Sequence, residues 1–313
     1  MSFATLLRLA TSATTLTLAA CLGSANSQPY SSAIPLGDSL NKPATGASII
    51  FADGGAANQI DGYSERNGKM IKAISTLCPG SLTVDTAGDL YVVEPCVPAI
   101  LVYPPGSTKF ALQIKLPPLY NGYGSPDVAV SRLGELATSN GGIVSFFRKG
   151  TREPFNIVGN AKFVQVTGLA YDAHGNLYVS TSKGLGEIIG GGKGSAITLF
   201  NISPQPPAGH LAVDDTNHEL LDVGESSGIG TIYQYHLPNP AAQSGAITLT
   251  GTSFLEGLVL NRATHSVFVS GLATSDGSSY VWQFPYPAGG SPTLTISQGS
   301  NGFIGVTVTE SGK

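Results

Sequence analysis

The sequence is poor in charged residues, which make up 12% of its 313 positions. A globular protein usually has about 25%. The formal net charge is only −4, and lysine and arginine form no cluster, so nucleic-acid binding is not expected. Beyond the N-terminus, no apolar run reaches the roughly 18 residues that a membrane-spanning helix needs. The 40 glycines are instead typical of an all-β protein with many tight turns.

Cysteine is also scarce, with three residues, and the five histidines are scattered, so no zinc site is expected. No Gly-x-Ser-x-Gly elbow of a serine hydrolase occurs. Cys78 precedes one predicted strand, Cys96 follows the next, and both lie equally far from the turn between the strands. Because such residues face each other in an antiparallel hairpin, a Cys78–Cys96 disulfide is predicted. The alternative is two free, partly buried thiols.

Residues 1–27 have the layout of a secretory signal peptide, with a positive charge at Arg8 followed by an apolar stretch. Two cleavage sites compete. Leu18–Cys21 has the form of a bacterial lipobox, which would attach lipid to Cys21, whereas ordinary cleavage would leave Gln28 first. Residues 28–47, rich in serine and proline, are predicted to form a flexible tether. We expect an exported protein, either lipid-anchored in a bacterial cell envelope or secreted.

A short motif recurs along residues 48–313. Its clearest copies are Val84–Val92, Val130–Thr138 and Tyr171–Val179. Equivalent positions lie 46, 41, 42, 47 and 48 residues apart, at Asp85, Ser131, Asp172, Asp214, Asn261 and Thr309. A period of about 40–50 residues that contains several short strands indicates a β-propeller. The repeated aspartates end strands at tight turns, where we expect them to cap the backbone rather than to catalyse.

Each repeat is predicted to form a four-stranded blade, which gives five complete blades and one split blade. The split blade would take its first strand from Val306–Val308 and its second from Ile49–Phe51. Such a blade closes the ring without a covalent link, whereas an open array would expose two sheet edges. The sequence therefore predicts an all-β, six-bladed propeller over residues 48–313.

Two repeat copies, Val84–Val92 and Gly168–Val179, resemble the six-bladed propellers of the NHL-repeat and SMP-30/gluconolactonase group. The turn Val102–Gly106 resembles that of exported bacterial members without an established activity. The resemblance covers the whole repeat region and implies its architecture. It does not imply one function, because this fold carries many unrelated functions.

The SMP-30-like lactonases hold a divalent cation at the central channel with one Glu, two Asn and one Asp. In this chain Thr167 and Gly209 occupy positions where that family has Asn, whereas Asp127 and Glu256 remain carboxylates. Calcium requires about six to eight oxygen ligands, so these two carboxylates alone do not make a site. The resemblance therefore does not imply the lactonase activity.

Propeller ligands usually bind where the first strands enter the channel, and the candidate lining residues there are Asp127, Thr167, His210 and Glu256. We expect a monomeric binding or scaffold protein for an unknown protein or carbohydrate ligand, with no catalytic residue and no cofactor. The alternative is a metal-dependent, lactonase-like hydrolase with a reduced site, in which calcium would be the metal.

Aromatic residues recur in the predicted third strands, where they could pack between blades or form a binding platform. Packing is the favoured interpretation for Tyr103, Phe146, Tyr233, Tyr235, Trp282 and Phe284. Tyr120 and Tyr286, next to proline and glycine in predicted loops, are the candidates for exposed contacts.

Overall fold

The computed structural model describes residues 48–53, 58–117, 126–159, 165–203, 207, 209–238, 240, 242–297 and 305–309. The predicted signal peptide, the tether, Cys21 and Tyr120 lie outside the described residues. The described residues form six four-stranded antiparallel sheets arranged as the blades of a propeller, which confirms the predicted fold. None of the helices among them is long and apolar enough to span a membrane.

The strands follow the blades in chain order. Blade 1 contains β1 (Ile49–Asp53), β2 (Gln59–Ser64), β3 (Met70–Ser75) and, at its inner edge, β24 (Val306–Val308). Blade 2 consists of β4 (Leu82–Val84), β5 (Leu90–Glu94), β6 (Ala99–Tyr103) and β7 (Leu112–Lys115). Blade 3 consists of β8 (Val128–Val130), β9 (Leu136–Asn140), β10 (Ile143–Phe147) and β11 (Asn156–Gly159).

The second half of the ring repeats this order. Blade 4 consists of β12 (Val166–Tyr171), β13 (Leu177–Thr181), β14 (Gly184–Ile188) and β15 (Thr198–Leu199). Blade 5 consists of β16 (Leu211–Asp214), β17 (Glu219–Ser226), β18 (Ile229–His236) and β19 (Gln243–Thr248). Blade 6 consists of β20 (Thr252–Asn261), β21 (Ser266–Ala273), β22 (Ser279–Pro285) and β23 (Leu294–Ser297). The first strands line a central channel. We call the side where they begin the entry side and the side where they end the exit side.

Blade 1 joins two distant segments of the chain, as the repeat spacing predicts. Strand β24 pairs antiparallel with β1, and Val308 lies opposite Ile50 while Val306 lies opposite Ala52. The amide of Ile49 donates to the hydroxyl oxygen of Thr309 over 2.8 Å, which extends the pairing by one residue. The ring is therefore closed by hydrogen bonds and buried apolar side chains.

The repeated polar residue of the motif caps the turn between the first two strands of a blade. The Oδ1 atom of Asp85 accepts hydrogen bonds from the amides of Ala87 and Asp89 at 2.8 and 3.0 Å. The equivalent residues Asp172, Asp214, Ser131 and Asn261 accept amide hydrogen bonds in the same turn. These turns confirm the structural role predicted for the repeated aspartates.

Aromatic side chains of the third strands pack between neighbouring blades, as the favoured interpretation predicts. Five of the six are buried and Tyr233 is partly buried, the buried ones being Tyr103, Phe146, Tyr235, Trp282 and Phe284. The prediction that Tyr286 is exposed is wrong, because only 8% of it is accessible. Its turn folds back towards blade 5, and the ring joins the apolar cluster between blades 5 and 6.

The predicted disulfide is present between Cys78 and Cys96, whose Cα atoms are 6.0 Å apart. It links the segment before β4 to the turn after β5 on the entry side. The neighbouring Glu94 carboxylate accepts a hydrogen bond from the Cys78 amide over 2.9 Å, and burial raises the pKa of this carboxyl group. The bond and the carboxylate together hold the loop that leads from blade 1 into blade 2.

Candidate functional site

The central channel contains a cavity of roughly 180 Å³ that is lined by the first strands of all six blades. Its wall is formed mainly by short apolar side chains and backbone. The polar side chains at the entry end are Ser81, Asp127 and His210, and Arg262 lies at the exit end. The charged and titratable side chains of the channel wall therefore lie near its two mouths, and threonines line it in between.

Asp127 joins four consecutive blades at the entry mouth. Its Oδ1 atom accepts a hydrogen bond from the Ser81 hydroxyl of blade 2 and lies 3.6 Å from Nδ1 of His210 in blade 5. Its Oδ2 atom accepts the amide of Leu169 in blade 4 over 2.7 Å. Both carboxylate oxygens are therefore already engaged by protein groups.

The backbone of Asp127 is also hydrogen-bonded, on both its amide and its carbonyl. Its amide donates to the hydroxyl oxygen of Ser139 over 2.8 Å, and its carbonyl accepts the Thr138 hydroxyl over 3.0 Å. The residue is buried, whereas the His210 side chain keeps part of its surface accessible at the mouth. The structure thus makes Asp127 a fixed anchor and leaves His210 as the accessible polar group.

Thr167 and Glu256 occupy the same place in their blades, because each is the extra residue of a β-bulge. In blade 4 the pairing shifts between Val166 and Gly168, and in blade 6 it shifts between Leu255 and Gly257. A bulge redirects the side chain of its unpaired residue. Neither Thr167 nor Glu256 lines the channel cavity, in contrast to Asp127 and His210.

Glu256 is half-buried, and its burial raises the pKa of the carboxyl group. No hydrogen bond or ion pair joins this carboxylate to another residue in the described part of the chain. The four predicted site residues therefore separate into an Asp127–His210 pair at the channel mouth and two bulge residues beside it.

The described residues do not fit the calcium site of the lactonases. They contain no group of three or more His, Cys, Asp or Glu side chains that could hold a metal ion. Gly209 also cannot be replaced by a ligand side chain, because a Cβ atom there would lie 1.9 Å from the carbonyl oxygen of Val223. A Cβ atom on Gly168 would lie 2.3 Å from the carbonyl oxygen of Gly209. The backbone is therefore packed too closely at these two positions for a ligand side chain.

A second carboxylate joins four blades at the exit mouth, and no sequence motif marks it. Asp215 of blade 5 forms ion pairs with Arg132 of blade 3 at 2.9 Å and with Arg262 of blade 6 at 3.1 Å. It also accepts the Ala173 amide of blade 4 over 2.7 Å. The only sequence signal is that Arg262 is the single arginine or lysine between Leu211 and Ser297.

Blades 5 and 6 extend further on the entry side than the other blades. Strands β17 and β18 have eight residues each, whereas β5 and β6 have five, and β20 has ten. A Cβ atom on Gly230 would touch Thr252 and Leu255, so the two extensions pack together. We call this raised surface the blade 5–6 rim and define it as Glu225–Ile229, Thr252–Glu256 and Ala273–Ser279.

Apolar side chains are exposed on the rim. Ile229 is 40% accessible and Phe254 is 50% accessible. Sequence reasoning missed both residues, because their exposure depends on how far the hairpins of these two blades rise above the ring. The missed signal was the greater length of the strand segments that flank these turns.

Solved structures share the fold of this chain. A chain in the crystal structure of a nidogen/laminin complex is similar, with a TM-score of 0.61 and 14% identity, over 84% of this chain and 98% of that one. A protein of unknown function from Bacteroides caccae is similar, with a TM-score of 0.60 and 11% identity, over 85% and 99%. No protein-family model and no curated protein matches the chain. At these identities the similarity concerns the six-bladed propeller fold alone.

Proposed function

We propose that this protein is an exported binding or scaffold module that engages its ligand on the entry side of the propeller rather than inside the channel. The channel cavity of roughly 180 Å³ is smaller than the about 300–1,000 Å³ of usual small-molecule pockets. Carboxylates that join four blades occupy both mouths. A large ligand therefore has the outer surface of the ring as its available site.

The observation that carries the proposal is the blade 5–6 rim, which exposes Ile229 and Phe254 beside the channel mouth. Exposed apolar side chains that are grouped on one raised surface favour an interaction site, whereas single scattered ones need no explanation. A protein or a carbohydrate could use such a surface, since aliphatic and aromatic groups contact both.

The lactonase-like hydrolase is the competing function, and it would require a metal site at the entry mouth of the channel. A calcium-dependent enzyme needs several free oxygen ligands that converge on one point. Asp127 already binds protein donors with both oxygens, and Glu256 lies on a separate bulge. Titration with calcium by calorimetry, combined with a lactone hydrolysis assay, distinguishes the two functions. We expect no heat at millimolar calcium and no hydrolysis; heat together with turnover would favour the enzyme.

Site-specific photo-crosslinking tests the binding function. A photoreactive phenylalanine analogue at Ile229 on the rim is compared with the same analogue at Met70 on the outer strand of blade 1, which is 58% accessible. After exposure to a cell-envelope fraction and to defined glycans, we expect discrete adducts from position 229 only. Identical adducts from both positions would indicate non-specific contact and contradict an entry-side ligand.

Export is a separate part of the proposal and rests on the N-terminal sequence. Lipid attachment at Cys21 would anchor the protein in the envelope, and cleavage before Gln28 would release it. The intact mass of the membrane-extracted protein distinguishes these outcomes, because only the first adds the mass of the lipid. A full-length chain that begins at Met1 would contradict export.

A further inference from the structure

The two blades that bear the rim, blades 5 and 6, are markedly acidic. Between Leu211 and Ser297, the chain has one arginine, no lysine and seven carboxylates, namely Asp214, Asp215, Glu219, Asp222, Glu225, Glu256 and Asp276. The whole chain has a net charge of only −4, so the remaining blades do not share this excess. Unequal distribution of charge on one surface steers partners of the opposite sign towards it.

Three of these carboxylates lie on the entry side without a cation of the same two blades, whereas the others lie at the exit end or are buried. Arg262, the one cation, is at the exit mouth and is paired with Asp215. Glu225, Glu256 and Asp276 lie on the rim itself. Asp276 is fully exposed and accepts hydrogen bonds from the Ser278 amide and the Tyr280 hydroxyl. Both donors are neutral, and no described residue forms an ion pair with Asp276.

The other two rim carboxylates also form no ion pair within the described part of the chain. The carboxylate of Glu225 accepts the amide of Gly228 at 3.1 Å, and Glu256 has no ion pair to another described residue. Half-buried Glu256 lies two positions after Phe254 on the same strand. The rim thus combines exposed apolar groups with carboxylates that form no ion pair with any residue that the structure describes.

We propose that the blade 5–6 rim binds a polypeptide segment of a partner protein in which lysine or arginine flanks an aromatic or aliphatic side chain. The apolar side chain would pack against Ile229 and Phe254, and the cations would approach Glu225, Glu256 and Asp276. Apolar contacts supply most of the affinity in such interfaces, and complementary charge supplies orientation and association rate. This inference rests on the proposed entry-side binding function and specifies its partner.

A peptide array tests the partner chemistry directly. Defined 12-residue peptides vary independently in lysine and arginine content and in apolar content, and the purified full-length protein is applied to them. We expect binding only to peptides that combine both features, and a several-fold loss when the salt concentration rises from about 50 to 500 mM, because screening weakens exposed charge pairs. Binding that follows apolar content alone, or that favours acidic peptides, would overturn the inference.

Matched variants locate the site. Phe254→Ser and the double variant Glu225→Gln with Glu256→Gln should each weaken peptide binding about tenfold. The controls are Met70→Ser, which removes an equally exposed apolar side chain from blade 1, and Glu153→Gln, which removes an exposed carboxylate from blade 3. Equal losses in variants and controls would overturn the assignment to the rim.

The array and the crosslinking experiment can fail independently. Crosslinks at position 229 to a glycan, with no peptide bound on the array, would keep the entry-side binding function and reject a polypeptide partner. The absence of both would reject the binding function itself. Circular dichroism of each variant checks that folding is unchanged before binding is compared.

Discussion

Removal of β24 should open the ring and strongly destabilise the protein. A chain that ends at Gly305 lacks Val306–Val308 and leaves the inner edge of β1 without a partner. In the native ring Val306 and Val308 are 5% and 6% accessible, and they pack with Ile50 and Ala52. The perturbation therefore removes a buried strand rather than an exposed tail.

The size of the effect follows from this burial. Each buried valine contributes about 1.5–3 kcal/mol, so the two side chains contribute about 3–6 kcal/mol before the lost strand hydrogen bonds are counted. The total stability of a folded protein is about 5–15 kcal/mol. An unfolding entropy of about 2.1 cal/mol/K per residue makes 1 kcal/mol worth about 2 °C for the repeat region, so the lower limit of the loss lowers the melting temperature by about 5–6 °C.

Thermal unfolding followed by circular dichroism measures the change, and light scattering measures association through the exposed edge of β1. The control is a chain that ends at Thr309, which retains β24 and the hydrogen bond between Thr309 and Ile49. Equal melting temperatures for the two truncated chains would refute the view that β24 closes the ring.

Three further substitutions test individual contacts. Replacing Cys78 and Cys96 by Ser should lower the free energy of unfolding by about 3 kcal/mol, because the unfolded chain gains conformational entropy without the disulfide. Urea unfolding measures this change, and an unchanged value would show that the disulfide is dispensable. Asp127→Ala should cost about 2 kcal/mol or more, because it leaves the buried Leu169 amide without an acceptor; an unchanged urea midpoint would contradict its role as an anchor. Burial raises the pKa of the Asp222 carboxyl group well above its usual range, so the folded state binds the carboxyl proton more tightly than the unfolded state does. The contribution of Asp222 to wild-type stability should therefore fall as the pH rises above about 4. Asp222→Asn should flatten that part of the stability profile measured from pH 4 to 8, and an identical profile would show that Asp222 does not titrate.

The fold was predictable because its evidence is local and repeated. Asp85 and its equivalents cap the same turn in successive blades, so each sequence repeat corresponds to one blade of the ring. The partner of Val306–Val308 followed from counting strands in an incomplete repeat. The disulfide followed from the symmetry of one hairpin. None of these inferences requires knowledge of how distant blades meet.

The site was predictable only in part, because it depends on contacts between blades. The sequence places Asp127 and His210 at the channel mouth, but it does not show that donors from blades 2 and 4 already saturate the Asp127 carboxylate. Asp215 resembles any polar turn residue until Arg132 and Arg262 converge on it across the ring. Tyr286 was misplaced for the same reason, since a turn that packs on a neighbouring blade has the sequence of an exposed loop.

The two carboxylates at the channel mouths have a mechanical consequence for the ring. The partners of Asp127 lie on blades 2–5, and those of Asp215 lie on blades 3–6. Together their hydrogen bonds and ion pairs connect five consecutive blades, blades 2–6. Each of these blades is held at one or both ends of its innermost strand. Blade 1 lies between the two ends of that arc, and neither mouth carboxylate contacts it in the described residues. Local opening should therefore begin there, and the amides of β1 and β24 should exchange their hydrogens before those of β12 and β16.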